Sequence, residues 1–272
     1  MKPTQTGTPP RFETPSLAAA IARGGFQLLR VSMRRQFFSR QTLIGLVLTA
    51  VCGLIVLAWS YHREPTTQRL AQNVLVPSFI AFLMPIIAIG YGAAGIGAER
   101  EDRTLIYLLM TPIPRPVAYL MRFLAAELLV IGATAAALWM LCQMAGTPGD
   151  EAWSLFWPAS LLGAAAYAAL FLLVGTIFRH GTIISLAYWF FLEVLFGNMP
   201  GIIKRISVAF YVRSMIYDAG ADLKIGPVGR VAREMFLPVS GDTARTVLVC
   251  ATAGLLVAGL IAFTRREYRD VS

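Results

Sequence analysis

The side chains that could do chemistry are few and far apart. Lysine occurs three times, as Lys2, Lys204 and Lys224. None follows a glycine-rich loop or precedes serine or threonine, so a phosphate-cradling loop with its lysine cannot be built. Histidine occurs twice, as His62 and His180, in different connecting segments, which excludes a His-Glu-x-x-His zinc site. No Gly-x-Ser-x-Gly elbow is present, and no nucleophile, base and orienting group fall into a workable arrangement. Cys52, Cys142 and Cys250 lie singly inside apolar stretches, with no CxxC or Cys/His spacing. They read as small buried apolar side chains, not as metal ligands. The chain is therefore read as a non-enzyme with no cofactor or metal of its own.

Two carboxylates stand out because they interrupt apolar runs: Glu127 and Glu193. A charge at the centre of a membrane helix costs on the order of 3 kcal/mol on insertion scales, so each is expected to face the bundle interior or a wet cavity. Two readings stay open, a substrate or proton site and a hydrogen-bonded residue that fixes packing. Arg122, about one turn before Glu127, is expected to snorkel toward the interface.

The densest cluster of charge is the stretch from Ala98 to Pro116, which carries Glu99, Arg100, Glu101, Asp102 and Arg103 ahead of Thr104. Its middle predicts a short helix. The acidic residues suit the positive N-terminal end of the helix dipole. Leu105, Leu108 and Leu109 form an apolar face, and Pro112, Pro114 and Pro116 end the helix. A short helix held between two apolar spans, offering charge and leucine together, suits docking to a partner in the cytoplasm.

The elements that would position these residues are membrane helices. The chain has 272 residues, 57% hydrophobic and only 14% charged; a soluble domain carries about 25% charged residues. Six stretches are long enough for about 30 Å of hydrocarbon, at Thr42–Trp59, Val74–Gly97, Val117–Met144, Ser160–Phe178, Thr182–Met199 and Thr246–Thr264. Helix is the only sensible form, because an open strand leaves backbone groups unpaired in lipid. Pro77 and Pro85 are expected to kink the second span. Gly132 with Ala136, and Gly254 with Ala258, have the small-xxx-small spacing of close helix contacts.

The net charge of +9 is interleaved with apolar spans, so it reports topology and not nucleic-acid binding. Arg23, Arg30, Arg34, Arg35 and Arg40 precede the first span, Arg100, Arg103 and Arg115 follow the second, Arg179 follows the fourth, and Arg265, Arg266 and Arg269 follow the sixth. All fall on one side of a six-span chain, which the positive-inside rule makes cytoplasmic, with both termini. Segment 201–245 is basic yet assigned outside, which keeps five- and seven-span arrangements open. Ile202 to Tyr217 and Val228 to Phe236 show helical apolar spacing and predict two short amphipathic helices at the outer interface.

The organisation expected is then a disordered cytoplasmic tail at 1–15 with no cleavable signal peptide, an amphipathic interfacial helix at 16–41, a six-helix transmembrane domain at 42–264 containing outer loop 201–245, and a cytoplasmic tail at 265–272. In the amphipathic helix, Leu17, Ile21, Leu28, Leu29, Met33 and Phe37 oppose Arg23, Gln27, Arg30, Arg34 and Arg35, so it is expected to lie flat in the headgroup layer.

The Glu99–Ile113 segment resembles the signature of ABC-2 type permeases, the membrane subunits of many ATP-binding-cassette exporters. The matching positions are Glu99, Glu101, Thr104, Leu105, Leu108, Leu109, Pro112 and Ile113, while Arg103 replaces the usual Gly and Arg122 the usual Lys. The layout is similar along nearly the whole chain, to the closing Phe263-Thr-Arg-Arg-Glu-Tyr. The resemblance implies an all-α permease in a bacterial inner membrane, paired with a second permease copy. A separate ABC ATPase subunit, carrying ATP and Mg, would dock on the coupling helix through Glu99, Arg100, Glu101, Asp102, Arg103, Thr104, Leu105, Leu108 and Leu109. The alternatives are a stand-alone secondary transporter using Glu127 or Glu193 and a non-transporting membrane assembly factor.

Overall fold

A computed structural model describes residues 17–62, 66–101, 113–198, 203–227, 236 and 239–265. The expected coupling helix, from Asp102 onward, and the second outer helix, Val228 to Met235, lie outside the described residues. Within them the only regular structure is helical. Helix α1 is Leu17–Phe37 and α2 is Arg40–His62. Helix α3 runs over 67–101 as Thr67–Leu70, a π-helical stretch Ala71–Leu83, and Met84–Glu101. Helix α4 is Arg115–Ala145, α5 is Thr147–Ile177, and α6 is Gly181–Leu195 with its last part, Trp189–Leu195, again π-helical. Helices α7 (Val208–Ala219) and α8 (Gly241–Arg265) complete the chain.

Five of these, α2 to α5 and α8, are long and apolar enough to cross a membrane. The helix at the fifth expected span, α6, is shorter than that. Helices α4 and α5 have 31 residues each, roughly 46 Å at about 1.5 Å per residue, so their ends project beyond a 30 Å-class hydrocarbon layer. They are joined through Gly146 alone, whose φ of 72° lies in the region open to glycine.

Helices α3 and α5 are central, and α2 and α8 peripheral. The apolar windows of α3 and α5 are 67% and 61% buried, those of α2 and α8 only 22% and 17%. Helix α5 packs on α3, α4 and α8, while α1 packs on α4. The open sides of α2 and α8 present Leu43, Leu46, Leu54, Val249 and Val257 outward. Cys250 shares that outward face of α8, contrary to the burial expected from its apolar surroundings, because α8 packs on one side only.

Helix α1 packs against the bundle: Gly24 sits against Ile113, and Gly25 against Val117 and Met121 of α4. Two further placements differ from expectation. The expected kink at Pro77 is a register slip, since Pro77 lies inside the π-helical stretch and the Met84 N–H donates to the Phe79 carbonyl. A proline without an N–H cannot supply its own ladder bond, and widening the turn accommodates it. Helix α7 does not lie at the surface; Phe210, Val212 and Ile216 are buried.

Candidate functional site

Two polar sites emerge, one at each level of the bundle. The first is the stem from which residues 102–112 depart. The ends of α3, α4, α5 and α8 meet there in a cluster of Ile96, Ala118, Tyr119, Leu172 and Phe263. The Tyr119 and Phe263 rings lie 5.7 Å apart. Glu99, Arg100 and Glu101 occupy the last turn of α3, while Asp102, Arg103, Thr104, Leu105, Leu108 and Leu109 fall outside the described residues.

Arg122 ties this stem together. It does not reach for the interface: it is only 7% exposed, and its guanidinium donates to the Gly95 carbonyl at 2.9 Å. That carbonyl belongs to the helix entering the 102–112 segment, and Arg122 to the helix leaving it. A hydrogen bond from an ionised donor in a dry setting is among the stronger kinds. Packing makes the same join, because α3 and α5 approach closely at Gly175, where a Cβ would lie 2.5 Å from the Ala93 carbonyl oxygen.

The second site surrounds Glu193. Its carboxylate accepts from the Ser207 hydroxyl, from the Val208 N–H at 3.0 Å and from the Ala209 N–H at 3.3 Å. Ser207 in turn accepts from the Phe210 N–H at 3.1 Å. Glu193 and Ser207 together cap α7, satisfying amides that a helix start leaves open. Glu193 is 1% exposed, and Tyr167 of α5 faces the same carboxylate. From this cap α7 climbs along α5, with Val212 beside Gly163 and Met215 to Ala219 beside Ser154 to Ala159. The Asp218 carboxylate then accepts from the Gly241 N–H at 3.1 Å, at the start of α8.

The two π-helical stretches meet beside this site. The Trp189 indole N–H donates to the Ala81 carbonyl at 2.9 Å, and its ring lies 5.6 Å from Phe82. A widened turn leaves carbonyls free for such side-chain donors. Just before the cap, Lys204 is buried with Nζ 5.1 Å from the Phe236 ring and 5.9 Å from Phe210.

Glu127 stands apart from both sites, partly exposed on α4, with one buried carboxylate oxygen that has no hydrogen-bond partner among the described residues. Sequence reasoning found Glu193 but missed Ser207 and Tyr167, because their pairing depends on how α7 is laid against α5. Among the described residues no group of three or more His, Cys, Asp or Glu could hold a metal ion.

This architecture is that of a multi-pass membrane protein built from apolar helices, with its buried polar groups used between helices. The chain matches the family described as ABC-2 family transporter protein over residues 14–268, and it belongs to that family. Members are membrane transport components, work with an ATPase partner, and are not themselves catalytic. No curated protein matches the chain.

Proposed function

We propose that this chain is the permease subunit of an ABC exporter, driven by a separate ATPase subunit that docks on residues 99–111. The observation that carries this is the stem. Helices α3 and α4 flank that segment, and the Arg122–Gly95 hydrogen bond and the Tyr119–Phe263 cluster bind them to each other and to α5 and α8. Motion applied at 99–111 by closure of an ATPase dimer would therefore reach the spans as near-rigid displacement. The contact set proposed is Glu99, Arg100, Glu101, Asp102, Arg103, Thr104, Leu105, Leu108 and Leu109.

In this reading the chain crosses a bacterial inner membrane six times with both termini in the cytoplasm. The fifth crossing is made jointly by α6 and α7, and two permease copies enclose the pathway. The division at 1–15, 16–41, 42–264 and 265–272 follows from the same reading. Glu193 acts in it as a helix cap, since its acceptors are engaged by Ser207, Val208 and Ala209. The test is co-purification with a P-loop ATPase, followed by Glu101→Arg and Leu108→Arg. Coupled ATPase activity is expected to fall at least about tenfold in each, the cost of one buried apolar or charged contact at an interface. Wild-type activity in both would overturn the docking assignment.

A further inference from the structure

The face that α1 turns away from the bundle is built for a ligand. The fully buried residues of α1 among those described are small or polar, namely Gly25, Ser32 and Gln36, with Leu28 packed half-buried on the same side. Its aromatic residues point the other way, with Phe26 65% and Phe37 54% exposed. Together with Met33 and with Leu129 of α4 they line an open groove of about 510 Å³. Ligand sites typically fall in the range of roughly 300–1,000 Å³. Arg30 and Arg34 line the same groove as Met33 and Phe37, at helical spacing from Phe26 and Phe37, and do not oppose them as expected from the sequence.

Charge decides what fits. Arg30 and Arg34 are exposed, and neither side chain has a hydrogen-bond or ion-pair partner among the described residues. No Asp or Glu occurs anywhere between Glu13 and Glu64, while Arg23, Arg30, Arg34, Arg35, Arg40 and Arg63 do. The neutralising charge has to come from outside this part of the chain. The apolar run of α2 begins at Thr42, within three turns of Arg34, so the groove lies near the boundary where headgroups meet acyl chains. A groove with an apolar floor and a doubly basic rim at that depth matches an amphipath with an anionic head.

We infer that the groove between α1 and α4 binds an anionic phospholipid, its phosphate held by Arg30 and Arg34 and an acyl chain laid along Phe26, Met33, Phe37 and Leu129. Helix α1 is thereby anchored to one leaflet by a specific lipid as well as to α4 by packing. The inference does not depend on the ATPase reading.

The test is native mass spectrometry of the purified full chain, released from micelles containing phosphatidylglycerol or phosphatidylcholine with identical acyl chains. The first bound lipid is expected to be retained about tenfold more as phosphatidylglycerol, in line with two arginines near one anionic head. The double variant Arg30→Gln/Arg34→Gln should bring that ratio near one. A charge-matched control at the same end of the bundle, Arg179→Gln/Arg265→Gln, should leave it unchanged. Met33→Trp, which fills the groove, should lower retention of both lipids. Absence of headgroup preference in the wild type would overturn the inference. So would equal loss in the control pair, which would mean diffuse attraction, displacement by inorganic phosphate, which would mean a free-anion site, or a lipid-free dimer, which would mean that a second copy covers the groove.

Discussion

A carboxylate among apolar helices persists only where donors replace its water, and Glu193 has three, from Ser207, Val208 and Ala209. Removing it orphans a buried hydroxyl and two helix-start amides at once. Glu193→Ala should therefore cost about 2–4 kcal/mol, more than an ordinary cap, because hydrogen bonds to charged acceptors are stronger and the orphaned donors stay dry. Glu193→Gln keeps one acceptor oxygen and should cost roughly half as much. Thermal unfolding in detergent, followed by tryptophan fluorescence, would rank the two; an Ala variant as stable as wild type would remove Glu193 from the role of cap. Arg122 makes the second prediction at this scale. Arg122→Leu should loosen the stem and lower coupled ATPase activity about tenfold with the ATPase still bound, whereas Arg122→Lys, which keeps a cationic donor, should retain most of it. Equal activity in Arg122→Leu and wild type would show that the Gly95 contact transmits nothing. Both residues were legible as anomalies in the sequence, because charge in an apolar run is conspicuous. Their partners were not, because Gly95 is a backbone acceptor and Ser207 is an ordinary loop serine until α7 folds.

At the scale of elements, the apolar runs located the long helices but not their limits. The fourth expected span begins at Ser160, whereas α5 begins at Thr147, since Asp150 and Glu151 look like a loop yet suit the first turns of a helix that projects from the membrane. Hydropathy is likewise blind to ladder register, so it could not show that α3 and α6 widen into π-turns where Trp189 meets Ala81. It is blind to close approach as well, which the structure places at Gly175. A methyl there would sit 2.5 Å from the Ala93 carbonyl, a distance that rigid backbone on both sides cannot relieve cheaply. Gly175→Ala should force α3 and α5 apart and cost about 1–3 kcal/mol, the usual penalty of overpacking. Gly132→Ala is the matched control, because nothing lies within 4 Å of its missing Cβ. If the two variants unfold at the same temperature, the α3–α5 contact is not as tight as described.

At the scale of the whole molecule, the question is which end of the bundle faces the cytoplasm. Arg100, Arg115, Arg179 and Arg265 lie at or beside the helix ends that form the stem, where α3, α4, α5 and α8 meet. At the opposite end Thr67 bonds to Glu151 and Asp218 bonds to the start of α8, so acidic groups are prominent. The basic segment 201–245 was the obstacle to a simple reading of this asymmetry, and the structure explains part of it. Lys204 is buried between Phe210 and Phe236, and Arg213 lies on α7, packed beside α5, so neither behaves as a free loop charge of the kind that sets orientation. With those set aside, the stem end carries the clearer positive excess, which favours the proposed cytoplasmic placement of that end. In a background lacking Cys52, Cys142 and Cys250, a membrane-impermeant thiol reagent added to intact cells should label Asp242→Cys. It should label Arg103→Cys only after the membrane is opened. Labelling of Arg103→Cys in intact cells would invert the protein, and a segment facing outward could not receive an ATPase from the cytosol.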